Sequence, residues 1–356
     1  MPSHLSAVAP PAARLAPLPV GGGMRGIAET AQALAARSVD CVLALVVSSS
    51  GTSARPRGAM GLVDAERVQS GSLSGGKLEQ RLLEAARAVL EGGRANTVEI
   101  DAFDDSSHAS ALPSDSLGSM QIALLPMPAR GSPLRDALVS ACVGSSWLRL
   151  RLDLGADPGA GGDLGFGEAR TGPEVHVFNS RGEACAGPVE FVRHASLSFA
   201  PPPRIALLGA GPESRTLVRM ARLLGWYIEV VDQRTERDTY FDNEGADRLH
   251  AIAPEMLPTL LAERHFDAAV IGGHDFDLDM RHLRHLGASG IGYVGLLGPP
   301  ERRDALLGRL GDIIATQLEP RLYAPVGLRL GGDGPEAAAL AIIAQMQYYL
   351  AHDVHA

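Results

Sequence analysis

Apolar residues follow two rhythms along this chain. Short unbroken runs occur at Cys41 to Ser48, Ile205 to Leu208, Tyr227 to Val231, Phe266 to Gly272 and Ile291 to Leu297. Runs of this kind predict strands covered on both faces. Between them, apolar positions recur every three or four residues, as in Leu82, Leu83, Ala86 and Leu90, or Leu217, Met220, Ala221 and Leu224. That spacing predicts helices with one face against a sheet. Further helices are expected over Met24 to Arg37, Glu301 to Leu310 and the strongly apolar Glu336 to Leu350. Ala59 to Val63 and Arg67 to Ser70 read as a hairpin around Asp64, Ala65 and Glu66. The middle of the chain is less legible. Val98 to Phe103, Gln121 to Leu125, Glu174 to Asn179 and Val189 to Val192 are short strand candidates. Trp147 to Leu154 alternates leucine with arginine, an amphipathic strand, and the glycine-rich Asp157 to Gly167 reads as a loop. Ala200 and three prolines to Pro203 form a stiff linker, placing a domain boundary there.

The segment Arg204 to Asp232 organises the carboxyl-terminal half. A buried strand runs into Gly209-Ala-Gly211, then a helix, then Gly225 and a second strand that ends at Asp232. Glycines permit the tight turn, a helix amino terminus offers N–H groups to phosphate, and an acid about twenty residues later suits ribose hydroxyls. Gly209, Gly211, Ser214 and Asp232 are therefore candidate nucleotide ligands, with Ser214 at the third glycine position. Pro212 removes one N–H from the same turn. The expected fold is α/β: a Rossmann-like parallel sheet domain over 200–356 and a smaller mixed α/β amino-terminal domain over 24–199. Residues 1–23, rich in alanine and proline, read as a disordered tail.

A second constellation lies in the amino-terminal half. Arg55 and Arg57 sit in a polar loop before the hairpin, and Gly75, Gly76, Lys77 and Glu79 open the helix after it. Two guanidiniums, a lysine and glycine-exposed backbone donors suit a phosphate or another oxyanion-rich ligand. A hairpin returns its ends to one edge, so both loops should meet. Downstream, the strand ending at Gly272-Gly273 empties onto His274 and Asp275. His274 is the candidate catalytic base or ligand contact, Asp275 beside it is a candidate cofactor-binding residue, and Asp275, Asp277 and Asp279 open a helix. Asp279, His282 and His285 stand near metal-ligand spacing, but helix charge accounts for them and no metal site is assigned.

Composition narrows the function. The chain has 356 residues, room for two domains, and a net charge of -9 that argues against nucleic acid or an anionic membrane as partner. No apolar run is long enough to span a bilayer. Cys41, Cys142 and Cys185 form no disulfide or metal pattern, which suits the cytoplasm.

The motifs in order resemble the XdhC/CoxI family of maturation factors for molybdenum hydroxylases such as xanthine dehydrogenase. They are Ser50-Gly-Thr-x-x-Arg-Pro-x-Gly58, Gly71-Ser-x-Ser-Gly75-Gly76-x-x-Glu79, Gly273-His274-Asp275-x-x-Leu278-Asp279, Tyr293-x-Gly295-Leu-Leu-Gly298 and Pro325-x-Gly327-Leu328, the first preceded by a predicted strand. The resemblance covers roughly 24–95 and 203–350. Three departures mark a divergent member. Lys77 stands where the superfamily often has cysteine, Ser116 to Met120 lacks the family's cysteines, and Pro212 replaces a histidine. The resemblance implies a maturation factor rather than an enzyme. It implies that the protein handles molybdenum cofactor for a xanthine dehydrogenase-type partner, with pterin phosphate at Arg55, Arg57 and Gly75 to Lys77. His274 and the Gly209 turn would face that cradle across the domain cleft. The closing helix offers a dimer face, and a homodimer is expected. Two other readings stay open: an NAD(P)-binding oxidoreductase using Asp232, and a scaffold that only docks the target enzyme.

Overall fold

The computed structural model describes residues 22–50, 55–71, 73, 77–101, 119–154, 166–185, 194–234 and 245–352. The tail expected over 1–23 lies outside these residues except at Gly22 and Gly23, and the strand candidate over 189–192 lies outside them entirely. Three sheets account for the strands.

The first sheet is antiparallel. It contains β1 (Cys41–Ser49), β2 (Met60–Val63), β3 (Val68–Gly71), β4 (Asn96–Asp101) and β5 (Ser119–Met127), in the order β3-β2-β1-β5-β4. The hairpin forms as expected, with Leu62 opposite Ser70. The apolar run of β1 serves two cores. Val42, Ala44 and Val46 face α2 (Lys77–Gly92), while Cys41, Leu43, Leu45 and Val47 face α1 (Gly23–Ala36) and α3 (Pro133–Val143). An antiparallel strand covered on both faces loses the usual apolar–polar alternation. Beyond α1 and α3 lies a second antiparallel sheet, built from β6 (Leu148–Asp153), β7 (Phe166–Thr171), β8 (Glu174–Asn179) and β9 (His194–Phe199) in the order β8-β7-β6-β9. In β6 the leucines turn inward and Arg149 turns out. The apolar pattern does not predict α3, yet its start is written locally: Ser132 Oγ caps the amide of Arg135 and Pro133 occupies the first turn.

The third sheet is parallel throughout. Its strands are β10 (Arg204–Leu208), β11 (Tyr227–Asp232), β12 (Arg248–Ala251), β13 (Ala268–Ile271), β14 (Tyr293–Leu296) and β15 (Leu322–Tyr323). Their order, β12-β11-β10-β13-β14-β15, starts in the middle and winds outward in both directions. That is the doubly wound dinucleotide-fold order, with its switch point between β10 and β13. On one face lie α4 (Pro212–Leu223) and α9 (Gly334–His352), meeting Ile205, Leu207 and Val230. On the other lie α5 (Leu257–Glu263), α6 (Phe276–Gly287), α7 (Pro300–Leu310) and α8 (Asp312–Leu318), meeting Ala206, Leu208 and Ile271. Strand β12 falls in a segment whose sequence reads as a polar connection, because an edge strand is half-exposed and carries polar residues. The apolar α9 packs along α4 within its own half, leaving Leu340 and Tyr348 exposed.

The two halves meet through buried charge. Arg25 of α1 forms a two-point ion pair with Asp247 and also bonds the carbonyl of Trp226. Arg204 donates to the carbonyls of Cys142 (3.0 Å) and Val143 (2.8 Å) at the end of α3. The Tyr227 ring lies between the two guanidiniums, 3.9 Å from Arg25 and 4.4 Å from Arg204. Both arginines are buried, so their pairing is required rather than incidental.

Candidate functional site

These contacts decide how the two predicted constellations relate. Arg204, Tyr227 and Asp247 all stand at or just before the amino ends of their strands. The amino-terminal half therefore docks beneath the parallel sheet. Gly209, Asp232 and His274 stand at the opposite, carboxyl ends. Five residues of β10 separate the two edges, about 16 Å at the usual strand rise. The expectation that His274 faces the arginine cradle across a domain cleft is corrected: within one chain they are not brought together.

At the lower edge, Arg55 lines a cleft of about 550 Å³. Its walls include Met24 and Ile27 of α1, Met60 and Gly71 from the two ends of the hairpin, and Phe199 at the end of β9. The hairpin thus returns Gly71 to the loop of Arg55, as its geometry requires. Gly71 has φ +75°, and a Cβ there would fall 2.3 Å from the Met60 carbonyl oxygen, so this wall is built for glycine. Arg57 is exposed and donates to the Ser196 carbonyl of β9 at 2.7 Å, fastening its loop to the second sheet. Gly75 and Gly76 lie outside the described residues; Lys77 is the first residue of α2 and Glu79 stands in its first turn. The cleft is apolar-walled with a guanidinium at its side, the composition of a small-molecule site. Burial pushes the thiols of Cys41 and Cys142 up to about 12, so neither offers a thiolate near neutral pH.

At the upper edge, the Gly209 turn meets the Gly272 turn across the switch point. A Cβ on Gly209, where φ is +98°, would stand 2.6 Å from Gly273 Cα, and one on Gly211 would stand 2.9 Å from the Gly272 oxygen. The two glycines let two loops touch. The amides of Ala210, Gly211 and Ser214 are engaged within the protein. The Ala210 amide donates to Asp232 Oδ2 (2.8 Å) and the Gly211 amide to Ser214 Oγ (3.1 Å). The Ser214 amide donates to the Gly211 carbonyl, and Pro212 has no N–H. Asp232 is buried and grips Arg234 at 2.6 and 2.9 Å. Burial pushes its carboxyl up, but Arg234 and the amides of Arg234 and Ala210 together hold it below the usual range. Asp232 and the Ala210, Gly211 and Ser214 amides, candidates for holding ribose and pyrophosphate, thus already hold groups of the protein itself.

His274 has φ +58°, a left-handed conformation uncommon outside glycine, and its imidazole is half-exposed. Its Nε2 stands 3.4 Å from Glu213 Oε2 at the start of α4. Asp275 caps α6 by accepting from the Leu278 amide at 2.9 Å. Below the turn, Asp279 is buried and pairs with Arg302 at 2.7 Å. Burial pushes its carboxyl up, with Arg302 countering in part. His282 is buried one turn on, and burial lowers it to about 4. Asp279 Oδ1, His282 Nδ1 and Arg302 Nε have no hydrogen-bond partner among the described residues. Among the described residues, no group of three or more His, Cys, Asp or Glu is placed to hold a metal. Sequence reasoning misses Glu213, Arg234 and Arg302. The one available signal is their position just after strand ends in an open α/β sheet.

The architecture is that of a two-part α/β protein, a layered antiparallel half under a doubly wound half with its switch-point crevice. Comparison agrees: residues 205–346 match the XdhC Rossmann domain family, and residues 34–101 match the XdhC and CoxI family. This chain belongs to the XdhC/CoxI family. A probable xanthine dehydrogenase subunit of Bacillus subtilis is 33% identical over 149 residues, 41% of this chain and 42% of that protein. The uncharacterized protein YqeB of Escherichia coli is 30% identical over 158 residues, 40% of this chain and 27% of its own length. The match thus spans less than half of either relative. A crystal structure of a xanthine dehydrogenase from Bacillus halodurans superposes with a TM-score of 0.72 at 27% identity, covering 92% of this chain and 96% of that one. No helix among the described residues is long and apolar enough to cross a membrane.

Proposed function

We propose that this protein is an accessory factor that receives molybdenum cofactor as cargo and passes it to a xanthine dehydrogenase-type molybdoenzyme. One observation carries the reading: Arg55 beside an apolar-walled cleft of about 550 Å³ in the half that matches the XdhC and CoxI family. A cofactor with a flat ring and a phosphate asks for apolar walls and a guanidinium. The relatives named for xanthine dehydrogenase supply the partner class. Cys41 and Cys142 are held as thiols and neither lines the cleft, so the reading rests on the cleft's shape and charge. Arg55 would meet the phosphate, while Arg57 shapes the rim through Ser196.

Co-expression with the partner molybdoenzyme tests this, read as enzyme activity per molybdenum bound. Arg55→Ala should lower cofactor affinity about ten- to a hundredfold, the loss of one charge-assisted contact, and reduce activation in step. Full activation by the variant would leave only a docking scaffold.

A further inference from the structure

The second antiparallel sheet turns one face to α1 and α3 and leaves the other open. Directly opposed residues of neighbouring strands share a face, so the register of β8, β7, β6 and β9 lays out the open side in rows. One row reads Val175, Arg170, Arg149, Ser198, and all four are exposed. The next reads Val177, Glu168, Arg151, Ser196. Arg57 reaches the rim of this face by donating to the Ser196 carbonyl. An open sheet face asks for polar residues, but two like charges directly opposite each other are destabilising. Serine or threonine at either place would satisfy the sheet without that repulsion, and a local rule broken in this way points to function. Arg170 is answered in part by Glu168 at 2.6 Å. Arg149 makes no hydrogen bond or ion pair among the described residues. Val175, 46% exposed, ends the row on one side, and Trp147, 44% exposed, precedes Arg149 by two residues. Arginine and tryptophan beside exposed apolar surface are what protein interfaces are enriched in.

We propose that this open face is a docking surface for an acidic helix of a partner protein, gripped through Arg149 and Arg170. For the class of partner it rests on the cargo reading. Position supports it: Ser198 stands opposite Arg149 and also lines the Arg55 cleft, followed there by Phe199 and Ala200. A protein seated on the arginine row sits beside the mouth of that cleft. Charge and spacing set the chemistry of the occupant. The Cβ atoms of directly opposed residues lie about 5 Å apart, close to the spacing of carboxylates one turn apart on a helix. The whole chain carries a net charge of -9, so this cationic face stands on an acidic body. An extended polyanion, such as nucleic acid or an anionic membrane, meets the repulsion of that whole body, whereas a single acidic helix meets the face alone.

The test is binding of the full-length protein to the xanthine dehydrogenase-type enzyme used for co-expression, isolated without its cofactor. Arg149→Glu should weaken binding at least about tenfold, with Arg149→Ser in between. Raising salt to about 0.5 M should weaken binding by the unmodified protein, and Arg55→Ala should leave docking intact. Arg149→Glu should not lower the urea midpoint, because it replaces a like-charge pair by an opposite-charge pair. A lowered midpoint would give Arg149 a structural role and overturn the proposal. Undiminished binding by Arg149→Glu overturns the docking face and leaves the cargo reading standing, whereas no binding by the unmodified protein overturns both. Retention on duplex DNA or on phosphatidylserine vesicles that is lost in Arg149→Glu would also overturn it, since the face would then serve a polyanion. So would self-association lost in that variant, which would seat a second copy there.

Discussion

His282 shows how much one buried side chain can set. Its imidazole is 3% exposed, its Nδ1 lacks a partner among the described residues, and burial lowers it to about 4 against an ordinary value near 6.5. Above pH 6.5 the ring is neutral whether folded or unfolded, and it contributes no pH dependence. Below that, the unfolded chain takes a proton that the folded chain refuses. Stability should therefore fall between about pH 6.5 and 4, by about 3 kcal/mol at the lower end. His282→Leu removes the titration at similar volume and strands no partner. Urea melts across that range should show the variant gaining on the parent by about that amount as pH falls. A constant difference would mean that His282 is protonated in place. His274, just ahead of the same helix, is the opposite case: its left-handed backbone holds the ring out at the mouth of the crevice.

At the level of elements, the switch-point turns depend on one another. Gly209 closes the β10–α4 turn with φ +98° and touches Gly273, which belongs to the β13–α6 turn. Gly209→Ala should cost about 2 to 4 kcal/mol, from backbone strain and from the collision. Gly290→Ala, where an added Cβ meets nothing within 4 Å, should stay within about 0.5 kcal/mol. Chemical denaturation of the pair measures the difference, and equal small losses would mean that the turns can separate freely. The same contact explains why a glycine fingerprint is an ambiguous signal. The residue type it demands is also the type two touching loops demand.

For the molecule as a whole, the docking of the two halves rests on Arg25, Arg204 and Tyr227. Removing Arg25 takes a partner from Asp247 and from Glu29 at the seam. Arg25→Ala should lower stability by about 3 kcal/mol, the usual cost of breaking a buried pair, and Arg25→Lys should rescue little because a lysine cannot make the two-point contact. Trp226 reports on the same place, because its carbonyl accepts from Arg25 and its ring is buried. Under native conditions its emission should shift to the red in Arg25→Ala as the seam loosens. An unshifted spectrum with an unchanged urea midpoint would show that the halves hold together without it.

Much of the architecture is legible along the chain. The apolar runs of β1, β10, β11, β13 and β14, the hairpin, and the helical spacing in α2 and α4 are local properties, governed by residues a few positions apart. The ordered motifs extend that to the family. The arrangement of the sites is not local. Arg25 meets Asp247 across 222 positions and His274 meets Glu213 across 61. Only the packed structure decides that the amino-terminal half sits under the parallel sheet, so that Arg55 and His274 open at opposite edges. It also decides that Asp232 turns inward to the Ala210 amide and Arg234. A buried carboxylate must find donors wherever the fold supplies them, and the supply depends on which strands become neighbours, a property of the whole sheet that no short stretch of sequence contains.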